Sequence, residues 1–292
     1  MPGSVFSTST RTLTALARSS SSSGSAHRWP HVAELAAVPA PPRDAVLAQL
    51  GELKRIAIVP ALNEEGSVGR VIDEIHAFDP GFDIVVVDDG STDRTAGIAA
   101  DRGAHVLRLP FNLGIGGAVQ TGYRFAFERG YDVAVQVDGD GQHDAAQLPT
   151  ILEPVLTGQA DLCVGSRFAH GSGYQSSFMR RLGIKVFAMV VSAVVGQKVT
   201  DTTSGFRAVN RKGIALFAAD YPHDYPEVEA TVMSVKHKLR LHEVPVEMRE
   251  RASGASSITA LRSVYYMTKV LLAIFVGLFR RYAVPPEEGH HR

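Results

Sequence analysis

The sequence predicts an α/β protein built on a doubly wound, mostly parallel sheet with flanking helices. Three observations predict it. Short β-branched runs recur at 56–59, 84–87, 105–107, 133–137 and 162–164. Stretches with helical spacing separate them, at 67–77, 92–102, 114–129 and 145–157. The runs are apolar almost throughout rather than alternating, as expected of strands covered on both faces. Strand–helix–strand units join parallel neighbours, and right-handed crossovers wrap helices over both sides of the sheet.

Residues 1–52 precede this pattern. They are Ser/Thr-rich and then Ala/Pro-rich, with SSSSSGS at 19–25 and PAPP at 39–42. That composition predicts a disordered tail. Its acid-free start, with Glu34 as the first acidic residue, also has the character of a transit peptide. The patterned region runs over 53–252. Within it Ser67 and Thr92 stand where helix caps are expected. After about residue 175 the helices lengthen, and one late strand is expected over 239–248.

Composition narrows the function. Lys plus Arg and Asp plus Glu both number 30 in 292 residues, which disfavours a general nucleic-acid binder. The single cysteine, Cys163, sits in an apolar run. It rules out an internal disulfide framework or a cysteine-based zinc site, and is expected to be a buried, inert thiol. No segment reaches the roughly 18–20 uninterrupted apolar residues of a spanning helix. Residues 184–196 are too short, and 264–279 are interrupted by Lys269.

Ligands of open α/β sheets sit beyond the carboxyl ends of the strands. PALNEE (60–65) follows the first run, DDGSTD (88–93) the second, DGDGQH (138–143) the fourth and GSRF (165–168) the fifth. Any one of these has a bland explanation, since Asp-Gly makes turns and Asp, Ser and Thr cap helices. Four at the same edge do not. Asp138 and Asp140 are two positions apart at a strand end, so their carboxylates point roughly the same way. Hard cations such as Mg²⁺ or Mn²⁺ take such oxygens and keep substrate phosphates in their shell. A metal there would neutralise a departing diphosphate. Gln142 could add an amide oxygen, and His143 could ligate or brace the loop.

FNLGIGGAVQTG (111–122) is glycine-rich, but Gly114, Gly116, Gly117 and Gly122 do not fit a dinucleotide fingerprint. Close helix–sheet packing is expected instead, with Asn112 and Gly114 forming the turn.

PALNEE, DDGSTD, DGDGQH and TSGFR (203–207), in this order, resemble family 2 of the glycosyltransferases, with the GT-A fold, over roughly residues 54–252. The branch most resembled is the dolichyl- or polyprenyl-phosphate sugar synthases. The resemblance implies a nucleoside pocket lined by Pro60, Ala61, Asn63, Glu65 and Asp89. It implies that Asp138, Gly139, Asp140 and Gln142 hold the metal and diphosphate of a UDP- or GDP-sugar. Arg167 and Arg251 would reach phosphates, while Asp201, Ser204 and Arg207 would sit by the acceptor. Where these synthases usually end the late motif, here RASGASS (251–257), with lysine, this chain has Ser256 and Ser257. The Q-x-x-R-W motif of processive polysaccharide synthases is missing, Trp29 being the only tryptophan.

A phosphate monoester loses its second proton near about pH 6 and needs cationic positioning more than a base. Arg207 suits that task, because a guanidinium fork matches phosphate. A hydroxyl acceptor would need a carboxylate base, for which Asp201, Glu227 and Glu229 are candidates. Ile258, Leu261, Tyr265, Leu272, Phe275 and Phe279 recur at helical spacing and end in Arg280 and Arg281. This pattern over 253–292 suits a core helix, or an amphipathic one facing anionic lipid or a small integral membrane subunit. The expectation is an inverting transfer of one sugar to a polyprenyl phosphate, at the cytosolic face of the membrane. The alternatives are a soluble transferase acting on a glycan or protein hydroxyl, and a non-catalytic nucleotide-sugar-binding subunit.

Overall fold

A computed structural model describes residues 41–51, 53–167, 188–249, 269 and 272. A seven-stranded sheet forms its centre. The strands are β1 (Arg55–Ala61), β2 (Asp83–Asp88), β3 (His105–Arg108), β4 (Val133–Gln136), β5 (Leu162–Ser166), β6 (Arg207–Asn210) and β7 (Leu241–Pro245). Their order is β3-β2-β1-β4-β6-β5-β7. All neighbours run parallel except β6, which is antiparallel to both β4 and β5. The predicted doubly wound, mostly parallel layer is therefore present. The strand at 207–210 lies inside a segment the sequence pattern read as helical, and the late strand is shorter than 239–248.

The helices are α1 (Arg43–Leu50), α2 (Val68–Phe78), α3 (Thr95–Asp101), α4 (Gly114–Glu128), α5 (Leu148–Leu156), α6 (Arg211–Ala219) and α7 (Pro226–Lys236). Residues 188–195 are also helical. Two apolar clusters flank the sheet. On one side Val68, Val71, Ile72, Ile75 and Phe78 of α2 pack with Val86, Val135 and Leu152. On the other, Val119, Tyr123 and Ala126 of α4 pack with Ile58, Phe217 of α6 and Met233 of α7. The i, i+3, i+4, i+7 spacing on α2 is what places its apolar stripe on the strands. Gly122 explains the closeness of α4: a Cβ there would come within 2.3 Å of Ile58. Gly122 thus serves helix–sheet packing as expected, whereas Gly116 lies against Pro222 and His223 and Gly114, at φ 82°, has no atom near its Cβ position. Cys163 is buried, and burial pushes its thiol up.

One expectation needs correction. Residues 43–50 fall inside the stretch read as a tail, yet they form α1, with Val46 and Leu50 fully buried. Arg43 bonds the carbonyls of Phe78 (2.7 Å) and Ala77 (3.0 Å) at the end of α2. The Ala/Pro-rich composition hid an apolar pair at i, i+4 that completes the α2–α5 layer. Residues 1–40 and most of 253–292 lie outside the described residues. Of 184–196, Val191 and Val195 are buried and Met189 is exposed. No helix among the described residues is long and apolar enough to cross a membrane.

Leu50→Ala should lower the unfolding free energy in urea by about 2–4 kcal/mol. A change under about 0.5 kcal/mol, as at an unpacked surface position, would contradict the placement of α1.

Candidate active site

The carboxyl ends of β1, β2 and β4 open into a cleft of about 590 Å³. Residues 60–64, Asp89, Asn112, Gly114, Ile115, Ala118 and residues 138–140 line it. The strands run parallel, so their ends meet at one edge, and that is why distant motifs converge here.

The β1 and β2 loops are laced together. Asn63, at φ 55°, accepts from the Thr92 amide (2.9 Å), while its own amide donates to Ser91 Oγ (2.9 Å). Asp88 accepts from the Ser91 amide at 2.9 Å. Asp89 receives the amides of Leu113 (2.7 Å) and Gly114 (3.0 Å), so its carboxylate closes the first turn of α4. Asn112 Oδ1 also accepts from the Gly114 amide, making the predicted turn. Pro60, Ala61, Asn63 and Asp89 therefore do line the cleft. Glu65 does not: it is exposed, and its carboxylate accepts from the Arg94 amide at 3.1 Å. Its neighbour Glu64 is the glutamate on the cleft wall, with Ser67 Oγ donating to it at 2.9 Å.

Asp138, Gly139 and Asp140 line the cleft beside Pro60 and Ala61, the Gly139 amide donating to the Pro60 carbonyl at 3.1 Å. Asp138 is 33% exposed. Its amide donates to His143 Nδ1 (2.9 Å), and Nε2 of the same ring stands 3.6 Å from its carboxylate. His143 is buried and stacked on Phe206, with ring centroids 4.9 Å apart. It braces the loop. Asp140 is 9% exposed and accepts from the Gln142 amide at 3.0 Å. A divalent cation fits this pair. Both side chains are hard oxygen donors on an open cleft, and among the described residues no lysine or arginine pairs with Asp138. Among those residues no cluster of three His, Cys, Asp or Glu side chains forms, so the pair is a partial shell. Gln142 is held through its backbone, its carbonyl accepting from the Arg249 amide, and it is not among the lining residues.

The acceptor-side expectations change most. Asp201 is fully buried and both its oxygens bind Arg167: Nε at 2.7 Å, Nη2 at 2.9 Å and the amide at 3.1 Å. Against the upward push of burial, the Arg167 guanidinium holds its carboxyl below the ordinary value. An oxygen so engaged is no general base; Asp201 orients Arg167. Ser204 is buried, accepting from the Phe206 amide. Arg207 is fully buried rather than facing a ligand. Its Nε donates to the Ser204 carbonyl at 2.9 Å and its Nη2 to the Glu227 carbonyl, which staples the 204 loop to the start of α7. Its Nη1 has no partner among the described residues. Glu227, half-buried, lies within electrostatic reach of Arg207, Asp138 and Arg167, and burial pushes its carboxyl up. Arg251 lies outside the described residues.

Leu62, Glu64, Ile115 and Ala118 line the cleft and were not singled out from sequence. The strand-end rule, applied to the glycine-rich segment after β3, would have found Ile115 and Ala118.

Acidic residues at a strand end, in a cleft shared with a laced loop pair on a mostly parallel sheet, make a frame that suits a cation and a phosphorylated ligand. The comparisons agree. The profile of Glycosyl transferase family 2 matches residues 56–217. An undecaprenyl-phosphate mannosyltransferase of Micrococcus luteus is 33% identical over 216 residues, 71% of this chain and 88% of the relative. A polyprenol monophosphomannose synthase of Mycolicibacterium smegmatis is 31% identical over 217 residues, 70% of this chain and 81% of the relative. A crystal structure of glucosyl-3-phosphoglycerate synthase from Mycobacterium tuberculosis, with Mn²⁺, UDP and glucosyl-3-phosphoglycerate, superposes with a TM-score of 0.63 at 22% identity. It covers 86% of this chain and 87% of that one, and establishes the GT-A-like fold. The chain belongs to glycosyl transferase family 2 and is a glycosyltransferase.

Arg207→Ala should cost about 2–4 kcal/mol of unfolding free energy, because it removes the donor to the Ser204 carbonyl, leaves the Glu227 carbonyl with the Thr231 hydroxyl alone of its two side-chain donors, and empties a fully buried site. Unchanged stability in chemical denaturation would show that Arg207 is not the staple described.

Proposed function

We propose that this chain is a metal-dependent, inverting glycosyltransferase that moves one sugar from a UDP- or GDP-sugar to a polyprenyl phosphate. The observation that carries the reading is the acidic pair Asp138 and Asp140 in the cleft that residues 60–64 also line. The named activities of the bacterial relatives support the lipid phosphate acceptor, and the Mn²⁺ and UDP in the solved neighbour support the donor class.

Asp138 and Asp140 would hold the cation. When bound, it supplies charge neutralisation for the departing nucleoside diphosphate. The chain's own residues do the remaining work. Residues 60–64, Asn112 and Ile115 form the wall against which the nucleoside lies. Asp89 and Asn63 keep that wall rigid, so little ordering is left to be done on binding. Arg167, fixed by Asp201, brings a planar fork toward phosphate. No strong base is required, since a phosphate monoester is largely ionised near neutral pH. The C-terminal segment around 258–281 would dock the enzyme at the cytosolic membrane face, with a small integral membrane subunit as a partner.

A second reading rests on Glu227. A carboxyl raised by burial, within reach of Asp138, has the character of a general base for a hydroxyl acceptor. A choice of acceptor therefore separates the two: transfer to farnesyl phosphate supports the first, transfer only to sugar hydroxyls the second.

A thermal-shift panel of UDP- and GDP-sugars with Mn²⁺ tests the donor site. Asp140→Asn should weaken the metal-dependent response about tenfold or more. A mutant that responds as the wild type does would remove the metal assignment.

A further inference from the structure

Beyond the cleft wall, the buried glutamate of β7 has no assigned task. Glu243 stands opposite Val164 of β5 and is 9% exposed. Among the described residues it pairs with no lysine or arginine. A carboxylate buried without a cation is costly unless donors surround it. Here the donors come from two consecutive residues. Its Oε1 accepts the Asp201 amide at 2.6 Å and the Thr200 amide at 3.0 Å. Its Oε2 accepts the Thr200 amide at 2.7 Å and the Thr200 hydroxyl at 2.9 Å. The Thr200 hydroxyl also lies 2.8 Å from Ser166 Oγ, at the end of β5.

The next link is Asp201. With no exposed side-chain surface, it takes the Arg167 guanidinium on two nitrogens and the Arg167 amide on a third. Arg167 Nη2 also donates to Thr203 Oγ1 at 2.6 Å. Arg167 itself is 29% exposed, at the carboxyl end of β5, on the edge where β4 delivers Asp138. Two buried carboxylates and one guanidinium thus stand in a row from β7 to the carboxyl end of β5. Burial, with Asp201 adding to it, pushes the Glu243 carboxyl up, as expected for an anion lacking its own cation.

We propose that Glu243 is a positioning residue: from β7 it fixes residues 200–201, and through Asp201 it sets the orientation of the Arg167 guanidinium toward phosphate. The relay gives a task to a buried charge that stands between His242 and Val244 on β7. Its donors lie on a loop between the helical residues 188–195 and β6, and the carboxylate ties that loop to the sheet. The proposal rests on the reading that Arg167 engages phosphate, and its test separates the two.

The test uses the full chain with Glu243→Gln, Arg167→Ala and the double variant. The Arg167 Nε–H signal in NMR is identified as the one missing in Arg167→Ala. Titration calorimetry follows farnesyl phosphate, and separately pyrophosphate with Mn²⁺. Glu243→Gln should shift the Nε–H signal and speed its exchange. It should weaken binding of one of the two probes roughly tenfold, with no further loss in the Arg167→Ala background. An unmoved signal, or an equal loss in both backgrounds, would overturn the relay. If the signal moves but Arg167→Ala leaves both titrations unchanged, the relay stands and the phosphate role of Arg167 falls. Should Glu243→Gln fail to fold, Thr200→Val removes one hydroxyl, with its contacts to Glu243 and Ser166, and carries the same readouts.

Discussion

The close approach of β4 to β1 is the constraint from which the site follows. At the end of β4 the Gly139 amide donates to the Pro60 carbonyl at 3.1 Å. A Cβ at Gly139 would stand 3.1 Å from both that oxygen and Ala61 Cβ. Only a residue without a side chain fits there without displacement. The two carboxylates on either side of Gly139 are thereby carried into the cleft alongside residues 60–64. Gly205 plays the matching part from β6, since a Cβ there would meet Asp138 Oδ2 at 3.1 Å. Among the described residues, backbone contacts, the His143 brace and the Gln136 amide at 3.4 Å, rather than a lysine or arginine, hold Asp138 in place.

Around that contact the molecule separates rigid support from exposed function. Asp89 closes α4, Asn63 links two loops, Asp201 orients Arg167 and Arg207 staples α7. Each uses its polar atoms on the protein, so each gives the cleft its shape without itself being the reacting group. Preorganised groups of this kind leave binding energy for the transition state instead of for ordering loops.

Much of this was legible in the sequence. Period and apolar continuity located β1, β2, β4 and β5, and the strand-end rule located the cleft. The Asp138–Asp140 pair was readable because side chains two apart on a strand share a direction. Burial was not readable. Asp201, Ser204 and Arg207 belong to a polar motif, and nothing in their order says that the antiparallel β6 carries Arg207 beneath the floor. Glu65 and Glu64 are chemically identical, and only the turn after β1 decides which faces the cleft. In α1, Pro and Ala masked two core contacts, since composition averages over the single pair that packs. Tertiary contacts between segments distant in sequence decide all of these.

The central claim is that Asp138 and Asp140 together receive a divalent cation at the end of β4. Anomalous diffraction from crystals grown with Mn²⁺ and UDP tests it most directly. The account predicts a peak roughly 2 Å from oxygens of both carboxylates and against the nucleotide's phosphates. A peak elsewhere, or nucleotide bound in the cleft with no peak beside that pair, would contradict it.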